Sequence, residues 1–225
     1  MDKQLIEYLS QFVNDDRLQL FYNNLENRTR YLTIVLEDIF QPQNASAVLR
    51  SADCFGIQDI HIIENRNNFT VDREVAMGAS KWLNLKRYCD DSENCRNAIR
   101  SLKSEGYRII VTSPHRSDVN LEKFDLHKGK AALVFGTELT GVSDTIKKEA
   151  DEFLKIPMYG FTESLNISVS AAIIMHHLTL RMKTESGINW KLNAAERDQA
   201  LLHWLRKTIR QSDLLEKKFY EIHAK

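Results

Sequence analysis

Residues 131–157 read AALVFGTELTGVSDTIKKEADEFLKIP and carry one complete strand–turn–helix–strand unit. An apolar run over 131–136 meets a polar turn bracketed by Gly136 and Gly141. A helical pattern over 142–150 and a second apolar run over 152–157 follow. Short, nearly continuous apolar runs suit strands buried on both faces, which is the condition of strands in a parallel sheet. The unit repeats outward along the chain. YLTIVLE (31–37), DIHIIE (59–64) and YRIIVTS (107–113) read as further strands, and the segments 47–56 and 93–105 read as the helices between them. Strand–helix alternation of this kind predicts an α/β fold, a parallel sheet with helices on both faces.

The two ends have a different character. Leu5, Ile6, Leu9, Phe12 and Val13 recur at helical spacing and predict one amphipathic helix over about 2–24. A helix is expected from about Ser164 to Thr184, and its all-round apolar character predicts burial in the core or at a subunit interface. A last helix is expected over about 193–222, with Asn193 and Glu196 placed as a capping pair. The organisation expected is an N-terminal helical extension over 1–30, a central domain over 31–185 and a C-terminal helical extension over 186–225.

Composition narrows the function classes. The 225 residues allow one core with modest additions, at an ordinary 43% hydrophobic and 28% charged content. No apolar run reaches the roughly 20 residues of a membrane helix. The start, MDKQLIEYLSQ, lacks the pattern of a signal peptide, so a cytoplasmic location is expected. Three cysteines, Cys54, Cys89 and Cys95, fit reduced thiols without zinc-site spacing, and no metal is expected. Lys plus Arg and Asp plus Glu each total 31. A nucleic-acid binder with that balance has to gather its basic residues on one face.

Three segments place polar residues where strands end, which is where open α/β sheets bind ligands. In the first, QPQNASAVLRSADCFG (41–56), Asn44 is suited to start a helix, and Arg50 offers a planar fork of donors to a phosphate. The same two residues also read as an ordinary cap and a solvated arginine. In the second, LVFGTELTGVS (133–143), the glycines let the backbone approach a ligand, although an ordinary strand–helix turn would use them too. The third, IPMYGFTESLNISVSAA (156–172), puts Glu163, Ser164 and Asn166 at a helix start, more polar groups than one cap requires. Neither GxSxG, GxGxxG nor GxxxxGK[ST] occurs, which argues against a serine hydrolase, a dinucleotide fold and a triphosphate cradle. His176 and His177 are adjacent on a helix, so they face apart and are expected to be packed and hydrogen-bonded.

Taken in order, these segments resemble the three motifs of the TrmH (SpoU) family of SPOUT RNA methyltransferases, and the similarity runs from about residue 31 to 182. NASAVLRSADCFG matches the first motif, LVFGTELTGVS the second and IPMYGFTESLNISVSAA the third. The resemblance implies a C-terminal deep trefoil knot, a homodimer and S-adenosylmethionine as cofactor. Carried over by position, cofactor contacts fall at Thr112, Ser113, Gly136, Ile156, Met158 and Leu165. Catalytic residues fall at Asn44, Arg50, Glu138, Ser164 and Asn166, with Arg50 central.

The resemblance further implies methyl transfer to a ribose 2′-hydroxyl of tRNA. Short helical extensions at both ends, with the segment 195–219, are similar to the guanosine-18 group. Arg28, Arg30, Arg206, Lys207 and Arg210 are the candidates for RNA phosphate contacts, each of which also reads as part of a solvated helix face. A ribosomal-RNA methyltransferase of the same family and a catalytically silent RNA-binding relative are the alternatives. Retention of the five motif residues together argues against the silent one.

Overall fold

The computed structural model describes residues 2–90, 92–114 and 118–223. The outermost residues of the two expected extensions (1, 224 and 225) lie outside that description. The described residues form two compact units: one of residues up to Thr29 with those from Lys191 on, the other Arg30–Trp190.

The larger unit is built on strands β1 (Leu32–Glu37), β2 (Asp59–Ile63), β3 (Asn84–Tyr88), β4 (Arg108–Thr112), β5 (Val119–Asn120), β6 (Ala131–Phe135) and β7 (Glu152–Lys155). They pair in the order β3-β2-β1-β6-β4-β7-β5, and every pairing is parallel. Five of these strands are the apolar runs read from the sequence. The other two escaped that reading: β3 exposes Lys86 and Arg87 at the sheet edge, and β5 has two residues. Charged edge strands are how sheets avoid pairing with other chains, and such strands lack an apolar signature.

Alternate residues of each strand enter opposite layers. Leu32, Ile34, Leu36, Leu133 and Phe135 join the apolar layer of one face, and Val35, Val111, Ala132 and Val134 that of the other. Helices α1 (Asp2–Ser10) and α2 (Asp15–Leu25) belong to the smaller unit. On the first face lie α3 (Pro42–Cys54), the short α4 (Arg73–Ala76) and, later in the chain, α7 (Ile167–Thr184). The second face carries α5 (Asn94–Ser104) and α6 (Asp144–Glu149). The expected helices on both faces are therefore present.

Two expected helix starts are corrected. Gln41, not Asn44, stands at the start of α3, because Pro42 takes the first helical position, where its missing N–H costs nothing. At α7, Asn166 caps by accepting the Ser168 N–H at 2.8 Å, which leaves Ser164 in the preceding loop. The apolar helix α7 buries Ile167, Ala171, Ile174, Met175, Leu178 and Met182 and leaves Val169, Ile173 and Leu180 exposed.

In the smaller unit the single helix expected over 2–24 is two. Asn14 accepts the Arg17 N–H at 2.9 Å, and Asp15 and Asp16 sit in the new first turn, so a second helix starts there. The last helix also divides, into α8 (Ala194–Thr208) and α9 (Ser212–His223), with Gln211 at φ 61° between them. The Asn193–Glu196 capping box at α8 is present, with bonds of 2.8 and 3.0 Å. Leu5, Leu9, Phe21, Leu25, Trp204 and Phe219 are buried in this unit.

Candidate active site

The carboxyl ends of β4, β6 and β7 open onto one cavity of about 420 Å³. Ligand pockets of nucleoside-sized molecules fall in this range. All six residues expected to hold a cofactor line it: Thr112, Ser113, Gly136, Ile156, Met158 and Leu165. Each strand end contributes for a local reason. Thr112 turns its hydroxyl back onto the Val134 carbonyl at 3.0 Å, tying β4 to β6. After β6 the chain makes a closed turn, in which Thr137 and Gly141 exchange both backbone hydrogen bonds at 3.1 and 3.0 Å. Gly141 takes φ 66°, which glycine adopts without a steric penalty. Gly136 lies so close beneath this turn that a Cβ there would stand 2.3 Å from the Gly141 carbonyl carbon. Beyond β7, the loop from Ile156 to Leu165 closes the far wall.

Apolar side chains of Phe135, Leu154 and Ile174 also line this cavity, beside the polar backbone of the three loops. That combination fits a flat heterocycle held between apolar walls with its edge read by main-chain groups, so the residues present suit S-adenosylmethionine.

Glu138 lines the same cavity and is also the centre of a polar cluster. Its Oε1 accepts Asn44 Nδ2 at 3.2 Å and Asn166 Nδ2 at 2.9 Å. Asn166 Nδ2 further donates to Asn44 Oδ1 at 3.1 Å, closing a triangle of side chains from three separate loops and helices. Gln41, which the sequence reading passed over, joins the cluster by accepting Asn44 Nδ2 at 2.9 Å. Ser164 is in the cavity wall.

Arg50 is not part of the triangle. It follows Asn44 by six residues on α3, about 240° around the helix, and so faces elsewhere. The side chain is exposed and makes no hydrogen bond or ion pair among the described residues.

The basic candidates divide in the same way. Arg28 is 4% exposed and packs 5.2 Å from the Trp204 ring centroid, and Arg30 Nε pairs with Asp59 at 2.9 Å. Arg206 grips Glu216 through two bonds of 2.7 and 2.9 Å, holding α9 against α8. Lys207 and Arg210 are exposed.

His176 is exposed with its ring edge-on to Phe55, and His177 Nε2 is buried without a hydrogen-bond partner among the described residues, so the hydrogen bonding expected of that nitrogen is not found there. Cys54, Cys89 and Cys95 are free thiols, and among the described residues no group of three or more His, Cys, Asp or Glu is placed to hold a metal. No helix is long and apolar enough to cross a membrane among the described residues.

Residues 31–176, which contain the sheet and all three motifs, match the SpoU rRNA Methylase family. The chain belongs to the SpoU methylase family. Within the relatives of this SpoU chain, a tRNA (guanosine(18)-2′-O)-methyltransferase of Borreliella burgdorferi is 43% identical over 94% of both proteins. An enzyme of the same name from Thermus thermophilus is 33% identical over 81% of this chain and 92% of its own length. The crystal structure of the A. aeolicus TrmH/SpoU tRNA modifying enzyme superposes with a TM-score of 0.76 at 25% identity, covering 88% of this SpoU chain and 98% of that one.

Proposed function

We propose that this SpoU-family chain transfers a methyl group from S-adenosylmethionine to a ribose 2′-hydroxyl of tRNA, at guanosine 18 in the D-loop. The observation that carries the reading is the double place of Glu138, in the wall of the cavity and at the centre of the Asn44–Asn166 triangle. A donor site and a hydrogen-bonded polar cluster then share one residue. The strong likeness to tRNA (guanosine(18)-2′-O)-methyltransferases over nearly the whole chain supports the choice of substrate.

In this reading Thr112, Ser113, Gly136, Ile156, Met158 and Leu165 hold the methyl donor, which supplies a methyl group on a positively charged sulfur. Positioning of the acceptor oxygen then dominates the chemistry. Asn44, Glu138, Ser164 and Asn166 fix the loops around the acceptor. Arg50 binds the phosphate and ribose beside the reacting hydroxyl; a guanidinium pKa above about 12 makes it a better anchor than base.

Because Arg50 faces away from its own triangle, we assign it to the donor site of a second copy in a homodimer. The exposed Val169, Ile173 and Leu180 of α7 supply an apolar surface for that pairing. The chain beyond β7 is read as threaded in a deep trefoil knot, a rare arrangement that would gather the three cavity loops. The terminal extensions, 1–30 and 186–225, are read as an RNA-binding addition, with Lys207 and Arg210 the free phosphate contacts. A cytoplasmic location follows from the tRNA substrate.

Incubation with labelled S-adenosylmethionine and either unmodified tRNA or ribosomal-RNA fragments tests this function. Label in tRNA alone is expected, with Arg50→Ala abolishing transfer and sparing donor binding. Equal or preferential labelling of ribosomal RNA overturns the substrate, and full turnover by Arg50→Ala overturns its role.

A further inference from the structure

Glu37 is the last residue of β1, on the sheet face that carries α5 and α6, and it is 2% exposed. A carboxyl group in such a place is costly unless its oxygens are hydrogen-bonded. Both are. Oε2 accepts the Ser143 N–H at 2.7 Å, and Oε1 accepts the Cys95 thiol at 3.1 Å. Cys95 is itself held, since Asn65 Nδ2 donates to its sulfur at 3.2 Å. Burial, and next the bond to Glu37, push the Cys95 thiol up to about 11, so the sulfur keeps its proton and remains a donor at neutral pH.

These contacts lie beneath the loop that shapes the donor cavity. Ser143 caps α6 and directly follows Val142, which lines that cavity. One residue earlier, Gly141 closes the turn over Gly136. Under the loop is a second cavity of about 740 Å³, lined by Glu37, Asp38, Cys95, Thr137, Thr140 and Ser143 among others. Its acidic groups are already engaged with the protein: Asp38 Oδ1 accepts the N–H groups of Asn65 and Arg66 at 2.7 and 2.8 Å. The loop is thus tied to the end of β1 through Glu37, and the end of β1 to the chain after β2 through Asp38.

We propose that Glu37, held by Cys95, is a positioning residue for methyl transfer: it fixes the outer end of the loop after β6, and through it Gly136 and Glu138. Neither Glu37 nor Cys95 lines the donor cavity, so both act through the loop. The proposal rests on the function given above.

The test uses the full chain and three variants, Glu37→Ala, Glu37→Gln and Cys95→Ala, with calorimetric binding of S-adenosylmethionine, kcat and KM for both substrates, and amide exchange across residues 137–143. Glu37→Ala is expected to weaken donor binding by about tenfold or more, as loss of a buried hydrogen bond to a carboxyl group implies. Exchange in 137–143 should rise in that variant. Glu37→Gln keeps an acceptor for the Ser143 N–H and should restore binding to within about threefold. Cys95→Ala removes one donor without loosening the strand, and decides the matter should Glu37→Ala not fold; weakening by about threefold is expected. Wild-type affinity and exchange in a folded Glu37→Ala or in Cys95→Ala would overturn the proposal, as would a Gln variant no better than Ala. A wild-type chain that does not bind the donor would overturn the function and this proposal with it, an outcome distinct from the first.

Discussion

Asn166 donates to Glu138 at 2.9 Å while its own Oδ1 accepts the Ser168 N–H at 2.8 Å, so one amide both caps α7 and anchors the loop after β6. The two jobs use opposite ends of the side chain, and that allows them to be separated.

Asn166→Asp keeps a good capping oxygen but replaces the donor to Glu138 with a second carboxylate. Thermal stability should change by less than about 1 kcal/mol, the worth of a typical cap. Methyl transfer should fall by about tenfold to a hundredfold as the loop shifts from its productive position. Calorimetry and single-turnover rates check the two halves; equal activity would show that the triangle has no part in turnover.

Gly136→Ala places a methyl group 2.3 Å from the Gly141 carbonyl carbon and 2.5 Å from the Val142 nitrogen. Both are backbone atoms of a turn closed by two hydrogen bonds, so no side chain can swing aside. A stability loss of about 1–3 kcal/mol is expected from the overpacking, together with a weaker donor site. Denaturant unfolding and donor binding measured on the same preparation provide the check.

His61 gives the fold a pH dependence. It is buried on β2, its ring is stacked on Tyr88 and its Nδ1 lies 2.9 Å from the Tyr88 hydroxyl. Burial, followed by the charge of Lys86, lowers its pKa from 6.5 to about 4. Between those values the unfolded chain binds more protons than the folded one, so stability is fully present above about pH 6.5 and declines as pH falls toward 4. The loss approaches about 3 kcal/mol at most. Melting curves between pH 7 and 4.5 should show this decline, and His61→Asn, which does not titrate there, should show a shallower one.

Arg28 and the pair Lys207 and Arg210 should behave as different kinds of residue. Arg28 is buried over Trp204, so Arg28→Ala should cost about 1–2 kcal/mol of stability through lost packing and cation–π attraction. Lys207→Ala with Arg210→Ala should leave the melting temperature unchanged. This double variant should raise the KM for tRNA and flatten its dependence on salt, as expected when phosphate contacts are removed. An unchanged salt dependence would remove both residues from the RNA-binding surface.

Much of this molecule is legible in its sequence because burial on both faces imprints continuous apolar runs on β1, β2, β4, β6 and β7. The edge strand β3 left no such imprint, since Lys86 and Arg87 face solvent. The helix breaks after Ser10 and at Gln211 were hidden by unbroken periodicity with neither Gly nor Pro to mark them, although Asn14 followed by two aspartates was a usable signal. At the site, motif matching brought together the six cavity residues and the Asn44–Glu138–Asn166 cluster without reference to geometry. It passed over Gln41, a polar neighbour of Asn44 with no feature to single it out, and Glu37 and Cys95, whose parts depend on contacts across long stretches of chain, such as the 106 positions from Glu37 to Ser143. The arginines show the opposite failure: charge is visible in sequence, but whether a guanidinium is free or paired depends on the neighbour that folding supplies.

Mapping the methylated ribose in a tRNA transcript, after incubation with the purified chain and labelled S-adenosylmethionine, tests the proposed function most directly. One 2′-O-methyl group is expected, at guanosine 18, and no label in a transcript lacking that 2′-hydroxyl. Methylation at another nucleotide, or donor binding with no transfer to any tRNA, would contradict it.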